Sequence, residues 1–372
     1  MRKNKFLTTV LIVSLLFISL LILSSNTIEN FQATTPTTQV YDIIIVAGQS
    51  NALGSGIRNV CDSTSLPGCT AVDLRSNSSR SRAITSIPNS YDSTNSRIKQ
   101  FSSENDPVLV NRNRIIDMSE PLQHFNYRNI PSVSFAFNFA KEYDNRLTRT
   151  GMGSRQVLIV GCAWSGAPMF SAGGVFWRKP TARDHLTNSL YHKTVERLRN
   201  VKNQLASTNN SKVVAFLWHQ GESDTFNTVS SEQNKNNYKL ALKESLTGMR
   251  TEIRSIFNNN NGGYTYPILL GGLSYDREFN RITGIRDTTQ FRQGMSQVIS
   301  EVSNASDPHF ISKSAFVSSD RIDEGGFNRR LEGNTRMDLS GNNLENDDNS
   351  HFSATANREF GRRYFYRFIQ IK

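Results

Sequence analysis

The sequence predicts a three-layer α/β/α sandwich built around a central parallel sheet. Three observations carry this. Short runs rich in Val, Ile and Leu recur along the chain, as strands buried on both faces require. Longer segments with apolar residues at helical spacing stand between them. Strands alternating with helices in this way imply βαβ crossovers and helices on both faces of one sheet. No internal repeat or strong boundary interrupts residues 41–372, so a single domain is expected there.

The first strand is Tyr41-Asp-Ile-Ile-Ile-Val-Ala-Gly48, a run of β-formers ending at a glycine. Residues 50–129 are rich in Ser, Asn and Arg with little periodicity; they read as long loops near a site. Val133, Phe135, Phe137, Phe139, Ala140, Tyr143 and Leu147 predict a helix over 133–147 capped by Ser132. A second strand is expected at 156–161, a helix at 184–205 and a third strand at 212–218. Tyr238, Leu242, Leu246, Met249, Ile253 and Ile256 lie on one face of a long helix over 230–257, which an Asn- and Gly-rich run ends. A fourth strand at 266–270, a helix at 288–302, a fifth strand or irregular pair at 309–317 and a closing helix at 355–371 complete the pattern.

The amino terminus reads differently. Residues 6–23 are apolar except for Thr8, Thr9, Ser14 and Ser19 and follow Arg2, Lys3 and Lys5. That length just reaches a membrane span, and the flanking charge keeps the amino terminus cytoplasmic. Residues 1–25 are therefore a signal anchor or a cleaved signal peptide, and residues 26–40, rich in Thr and Gln, form a linker. Both readings place residues 41–372 in the secretory lumen or outside, as a type II anchored or secreted protein. Membrane attachment through 6–23 is the expected contact with lipid.

The formal net charge of +11 falls to +8 without those three amino-terminal cations. No dense Lys/Arg patch with interleaved aromatics is present, so a nucleic-acid partner is not expected. The residual charge leans toward an acidic polymer. Cys61 and Cys69 flank Pro67-Gly68 and would pair in an oxidising compartment, whereas Cys162 sits inside an apolar strand as a buried thiol. Asn77, Asn209 and Asn304 begin glycosylation sequons.

Chemistry converges at three strand ends. The first strand runs into Gly48-Gln49-Ser50-Asn51, the second into Ala163-Trp-Ser165-Gly166-Ala167, and the third into His219-Gln220-Gly221-Glu222-Ser223-Asp224. A parallel sheet brings such ends to one rim, where open α/β sheets bind ligands. Before the last helix stands Asp347-Asp348-Asn-Ser-His351. A serine nucleophile needs a base and an acid that orients the base. Ser50, His351 and Asp348 have those residue types, with Asp347 as the neighbouring alternative for the acid. Backbone N–H groups of Ser50 and Gly166 and the amide of Gln220 are suitable in kind as oxyanion donors. Gly48, Gln49 and Asn51 shape the serine's turn. Glu222 reads as an anchor for its loop or a helper acid, and His219 as a residue packing beneath that loop. Trp164, Trp177 and Tyr275 line a sugar-stacking cleft or fill the core.

The four blocks, in this order, resemble those of the SGNH hydrolase superfamily. The nearest branch is the sialate O-acetylesterase and acetylxylan esterase type, carbohydrate esterase family six. The resemblance runs from Tyr41 to the carboxyl terminus. It implies a flavodoxin-like fold and deacetylation of an esterified sugar with no metal or other cofactor. By the same resemblance Ser50 is the nucleophile, His351 the general base, Asp348 its orienting acid, and Gly166 and Gln220 oxyanion donors. The second block departs from the branch's usual Gly-Gly-Thr or Gly-Gly-Ser, leaving Ser165 or Gly166 as the residue that aims the backbone donor.

Other readings fare worse. His124, His185, His192 and His309 stand apart without zinc spacing. Gly271-Gly272 and Gly325-Gly326 are loop glycines. An α/β-hydrolase would carry Gly-x-Ser-x-Gly on a mid-chain elbow, but the residue after Asn51 is Ala52. A non-catalytic glycan-binding or attachment protein on the same fold is the rival from another class. The sequence leaves the acetylated glycan and the oligomeric state open.

Overall fold

A computed structural model describes residues 39–54, 56–57, 95–106, 111–125, 132–170, 174–182, 184–206, 210–257, 265–274, 289–320, 351–352 and 354–371. All of them lie in the unit Thr37–Lys372. The amino-terminal apolar segment, Cys61, Cys69, Asp347, Asp348, Tyr275, Gly325, Gly326 and the sequons at Asn77 and Asn209 lie outside the described residues. Among the described residues no helix is long and apolar enough to cross a membrane.

The elements in chain order are β1 (Tyr41–Gly48), α1 (Ser50–Leu53), β2 (Gly56–Ile57), β3 (Ile98–Phe101), β4 (Ile115–Asp117), β5 (Ser132–Val133), α2 (Phe135–Arg149), β6 (Gln156–Ala163), α3 (Leu190–Asn203), β7 (Lys212–His219), α4 (Thr225–Val229), α5 (Glu232–Ile256), β8 (Ile268–Gly271), α6 (Thr289–Glu301), β9 (Ser314–Val317) and α7 (Ala354–Gln370). The main sheet has seven strands in the order β4-β3-β6-β1-β7-β8-β9. Every pairing in it is parallel except β3 with the edge strand β4.

β1 is the centre of the sheet and is buried along its whole length. Its alternate side chains divide the core. Ile43, Ile45 and Ala47 join the cluster beneath α3, α5 and α6, while Ile44 and Val46 join the one beneath α2 and α7. That split is the three-layer sandwich, with helices on both faces as parallel strands demand.

The structure redraws several expected boundaries. α2 begins at Phe135, capped by Ser134, whose Oγ accepts from Ala136 N at 3.2 Å. Val133 instead pairs with Gly56 in a two-stranded antiparallel ribbon, so the helix starts two residues later than expected. The expected long helix over 230–257 is found as the single helix α5, with the short α4 standing before it. Ser231 is extended and its side chain accepts from Asn234 N, starting α5 afresh after α4. The 184–205 helix likewise opens with a 3₁₀ turn, Leu186–Asn188, before Ser189 caps α3. The 50–129 stretch, read as loop, carries α1, β2, β3 and β4; β3 and β4 have four and three residues, too short for a periodic signal.

Candidate active site

Three loops meet at the carboxyl end of β1, between its neighbours β6 and β7. Gly48 makes the meeting possible. Its φ is +133°, and a Cβ there would sit 1.9 Å from the His219 carbonyl oxygen. Only glycine tolerates both the backbone angle and the approach. The next residue fastens the junction: Gln49 N donates to the His219 carbonyl at 2.9 Å, and Trp164 N donates to the Gly48 carbonyl at 3.0 Å. Ser50 then opens α1 and is 7% exposed.

Gln49 turns its side chain into the third loop. Its Oε1 accepts from Ser223 N at 3.2 Å and from Gly221 N at 3.4 Å. The second loop bends through a turn in which Ala167 N donates to the Trp164 carbonyl at 3.3 Å. Gly166 takes the left-handed position in that turn with φ +69°, as a type II geometry requires. Ser223 Oγ closes the rim by donating to the Gly166 carbonyl at 3.1 Å.

Asn51 reaches two further segments. Its Nδ2 donates to Glu222 Oε1 at 2.6 Å, and its Oδ1 accepts from Phe352 N at 3.0 Å. His351, which precedes Phe352, is therefore carried to the same end of the sheet; Asp348 lies outside the described residues. The same Glu222 oxygen accepts from His219 Nε2 at 2.9 Å. Burial raises the Glu222 carboxyl, but the charge and hydrogen bond of His219 and the Asn51 bond outweigh it and leave the pKa below its usual value. His219 itself packs against Phe352 and Phe360, each with ring centroids 5.6 Å away. It thus works beneath the loop, and Glu222 anchors that loop to Asn51.

Gln220 is fully buried. Its Oε1 accepts from the Tyr238 hydroxyl at 2.7 Å and its Nε2 donates to Asp224. The same Nε2 lies 3.4 Å from the Ala167 carbonyl and 3.5 Å from Gln49 Oε1. The sequence offered no role for Asp224 or Tyr238. Asp224 stands four residues past Gln220 within a polar run, which is a signal; Tyr238 reads only as one more large residue on the buried face of α5.

Other residues singled out earlier belong to the scaffold. Trp177 is buried edge-on against Trp218 at 4.9 Å between centroids, so it fills the core and does not line a cleft. Trp164 is partly buried, with Lys193 Nζ 5.9 Å from its ring centre. His124 Nδ1 accepts from Ala163 N at 2.9 Å, and burial, with Arg197 nearby, pushes its pKa down to about 3. Burial pushes the Cys162 thiol up to about 12, leaving it protonated and unreactive.

Comparison with known proteins places this geometry. A family model described as carbohydrate esterase, sialic acid-specific acetylesterase matches residues 40–260. The chain belongs to this family. The matched span includes Ser50, Gly166 and Gln220 and stops before His351. The esterase shares its fold with NanS, at a TM-score of 0.57 and 17% identity, covering 90% of this chain and 98% of that one. A protein from Arabidopsis thaliana superposes with a TM-score of 0.51, again at 17% identity, covering 90% and 99% of the two chains. No curated protein matches the esterase in sequence at a significant level. The SGNH-type resemblance, the α/β/α fold and the class of enzyme, a carbohydrate O-acetylesterase, are all supported by these matches.

Proposed function

We propose that the esterase removes O-acetyl groups from a carbohydrate through an acetyl-enzyme on Ser50, with His351 as general base and Asp348 orienting it. The observation that carries this reading is the Asn51 bridge. Asn51 follows Ser50, and its bond to Phe352 N draws the loop of His351 to the rim where β1, β6 and β7 end. His351 takes the Ser50 proton as Oγ attacks the acetyl carbonyl. Ser50 N–H, Gly166 N–H and the Gln220 N–H not engaged by Asp224 receive the negative charge that develops on the carbonyl oxygen. His351 then protonates the departing sugar oxygen, and water, deprotonated by the same imidazole, hydrolyses the acetyl-enzyme.

The carbohydrate part of the reading has its own support. The second loop carries Phe170, 39% exposed, and the short helix α4 that follows the third loop carries Phe226, 57% exposed. Exposed rings beside a site suit the apolar face of a pyranose. Which glycan carries the acetyl group is tested by acetate release from a panel of acetylated polymers and sialosides. A Ser50→Ala protein tests the chemistry; it should release no acetate from any of them. Glycan binding with no turnover by the parent protein would favour the attachment-protein reading instead. Residues 6–23 are read as delivering the domain to the secretory lumen or outside, which protease protection of the expressed full chain in sealed membranes tests.

A further inference from the structure

The Gln220 amide poses a chemical problem that its neighbours solve. The two ends of a side-chain amide have nearly the same shape and opposite polarity. One orientation offers an N–H to a developing oxyanion; the flipped one offers a carbonyl oxygen and repels it. Gln220 is held at both ends. The Tyr238 hydroxyl meets Oε1 and the Asp224 carboxylate meets Nε2. A hydroxyl can donate or accept, so Tyr238 alone does not choose between the orientations. A carboxylate only accepts, so Asp224 admits the NH₂ end alone.

We propose that Asp224, seconded by Tyr238, is a positioning residue that locks the Gln220 amide with its NH₂ group toward the Gln49 and Ala167 loops. This rests on the reading of Gln220 as an oxyanion donor. One N–H is spent on Asp224. The other has only the 3.4 and 3.5 Å approaches to Ala167 O and Gln49 Oε1, which a charged oxygen would readily displace.

Asp224 shows by what it leaves undone that its side chain serves this purpose. It occupies the N-cap of α4, where an aspartate ordinarily binds the helix's own N–H groups, yet its side chain caps nothing there. It instead crosses to the second loop, accepting from Met169 N at 2.7 Å and from Phe170 N. One carboxylate thus ties the loop bearing Gly166 to the side chain of Gln220, and both donors are set against a common post. Burial pushes its pKa up to about 6, so at pH 8 it is ionised and accepts only.

The test is a double-mutant cycle at pH 8 on p-nitrophenyl acetate, reading kcat and KM separately. Gln220→Ala should lower kcat by about 100-fold or more, the effect of losing one oxyanion donor. Asp224→Asn keeps the shape but replaces an acceptor oxygen with a donor, and should lower kcat by about tenfold or more, with KM nearly unchanged. In the Gln220→Ala background the same Asp224→Asn change should alter kcat by less than about twofold, since no amide is left to orient. Tyr238→Phe runs the same cycle if Asp224→Asn does not fold, with the same non-additivity expected. Equal losses in both backgrounds would overturn the positioning role and leave the oxyanion reading standing. A Gln220→Ala protein with parental kcat would remove that reading, and the proposal with it.

Discussion

Asn51 bonds to Phe352 N across 301 positions of the chain, at 3.0 Å, while its other end holds Glu222 at 2.6 Å. One fully buried amide therefore joins the serine's helix, the third loop and the approach to the last helix. Asn51→Ala leaves the buried Phe352 N–H without this acceptor, at about 1–3 kcal/mol, and takes one of two donors from Glu222 Oε1, which keeps His219. The melting temperature should fall, and kcat should fall further than stability explains because the His351 loop loses its tie. Asn51→Asp should be no better, since a second carboxylate would face Glu222. Thermal melts with kcat measured well below the melting point check both.

Gly48→Ala tests the close approach of β1 and β7. The added methyl would meet the His219 carbonyl at 1.9 Å in a backbone conformation at φ +133°. The strain of such a conformation alone is about 1–3 kcal/mol, and the clash forces the strand ends apart. Both the melting temperature and kcat should drop. A Gly166→Ala protein, where a Cβ meets nothing within 4 Å, carries only the strain of φ +69° without the clash and should lose less stability.

Phe226→Ala separates sugar recognition from acetyl transfer. The ring is exposed and rests on Phe291 at 5.1 Å between centroids. If it supports the sugar, KM for an acetylated glycan should rise several-fold while kinetics on p-nitrophenyl acetate stay at the parent level. Equal effects on the two substrates would remove Phe226 from recognition.

Asp224 gives a pH signature in stability. Burial raises its folded pKa from 3.8 to about 6, so the folded protein holds this proton more tightly than the unfolded chain. Its contribution is fully present below about pH 4 and is lost as pH rises through about 6, a change on the order of 2–3 kcal/mol. The groups facing it are Glu222 on its own loop, which raises the pKa further, and the neutral Tyr238 on α5. The stability difference between the parent and Asp224→Asn, followed by denaturant melts from pH 4 to 8, should shift in favour of the variant as pH rises. A difference independent of pH would contradict the assignment.

How much of this was legible in the sequence follows from what each residue has to show. The strands around the site are eight-residue runs, buried but for the first residue of β6 and of β7, and their apolar character is plain without neighbours. Gly48, Gln49, Ser50 and Asn51 could be picked out as a block because a polar run after a buried strand needs a reason. The partner of Asn51 could not, because the bond to Phe352 depends on the sheet order. α2 starts at Phe135 rather than Val133 because Val133 is taken by a pairing with Gly56, a contact 77 positions away in sequence. Trp177 shared the polarity of a stacking platform, and only the packing on Trp218 places it in the core. Tyr238 lies on the apolar stripe of α5, where a hydroxyl with a purpose looks the same as a ring that fills space.

The central claim is a covalent acetyl-enzyme on Ser50. The most direct measurement is mass spectrometry of the esterase quenched during turnover of an acetyl ester and then digested. An acetyl increment is expected on the peptide that carries Ser50, chased away as substrate is exhausted and absent from Ser50→Ala, which also releases no acetate. Acetate release at the parental rate by Ser50→Ala, or an acetyl group trapped on a different residue, would contradict it.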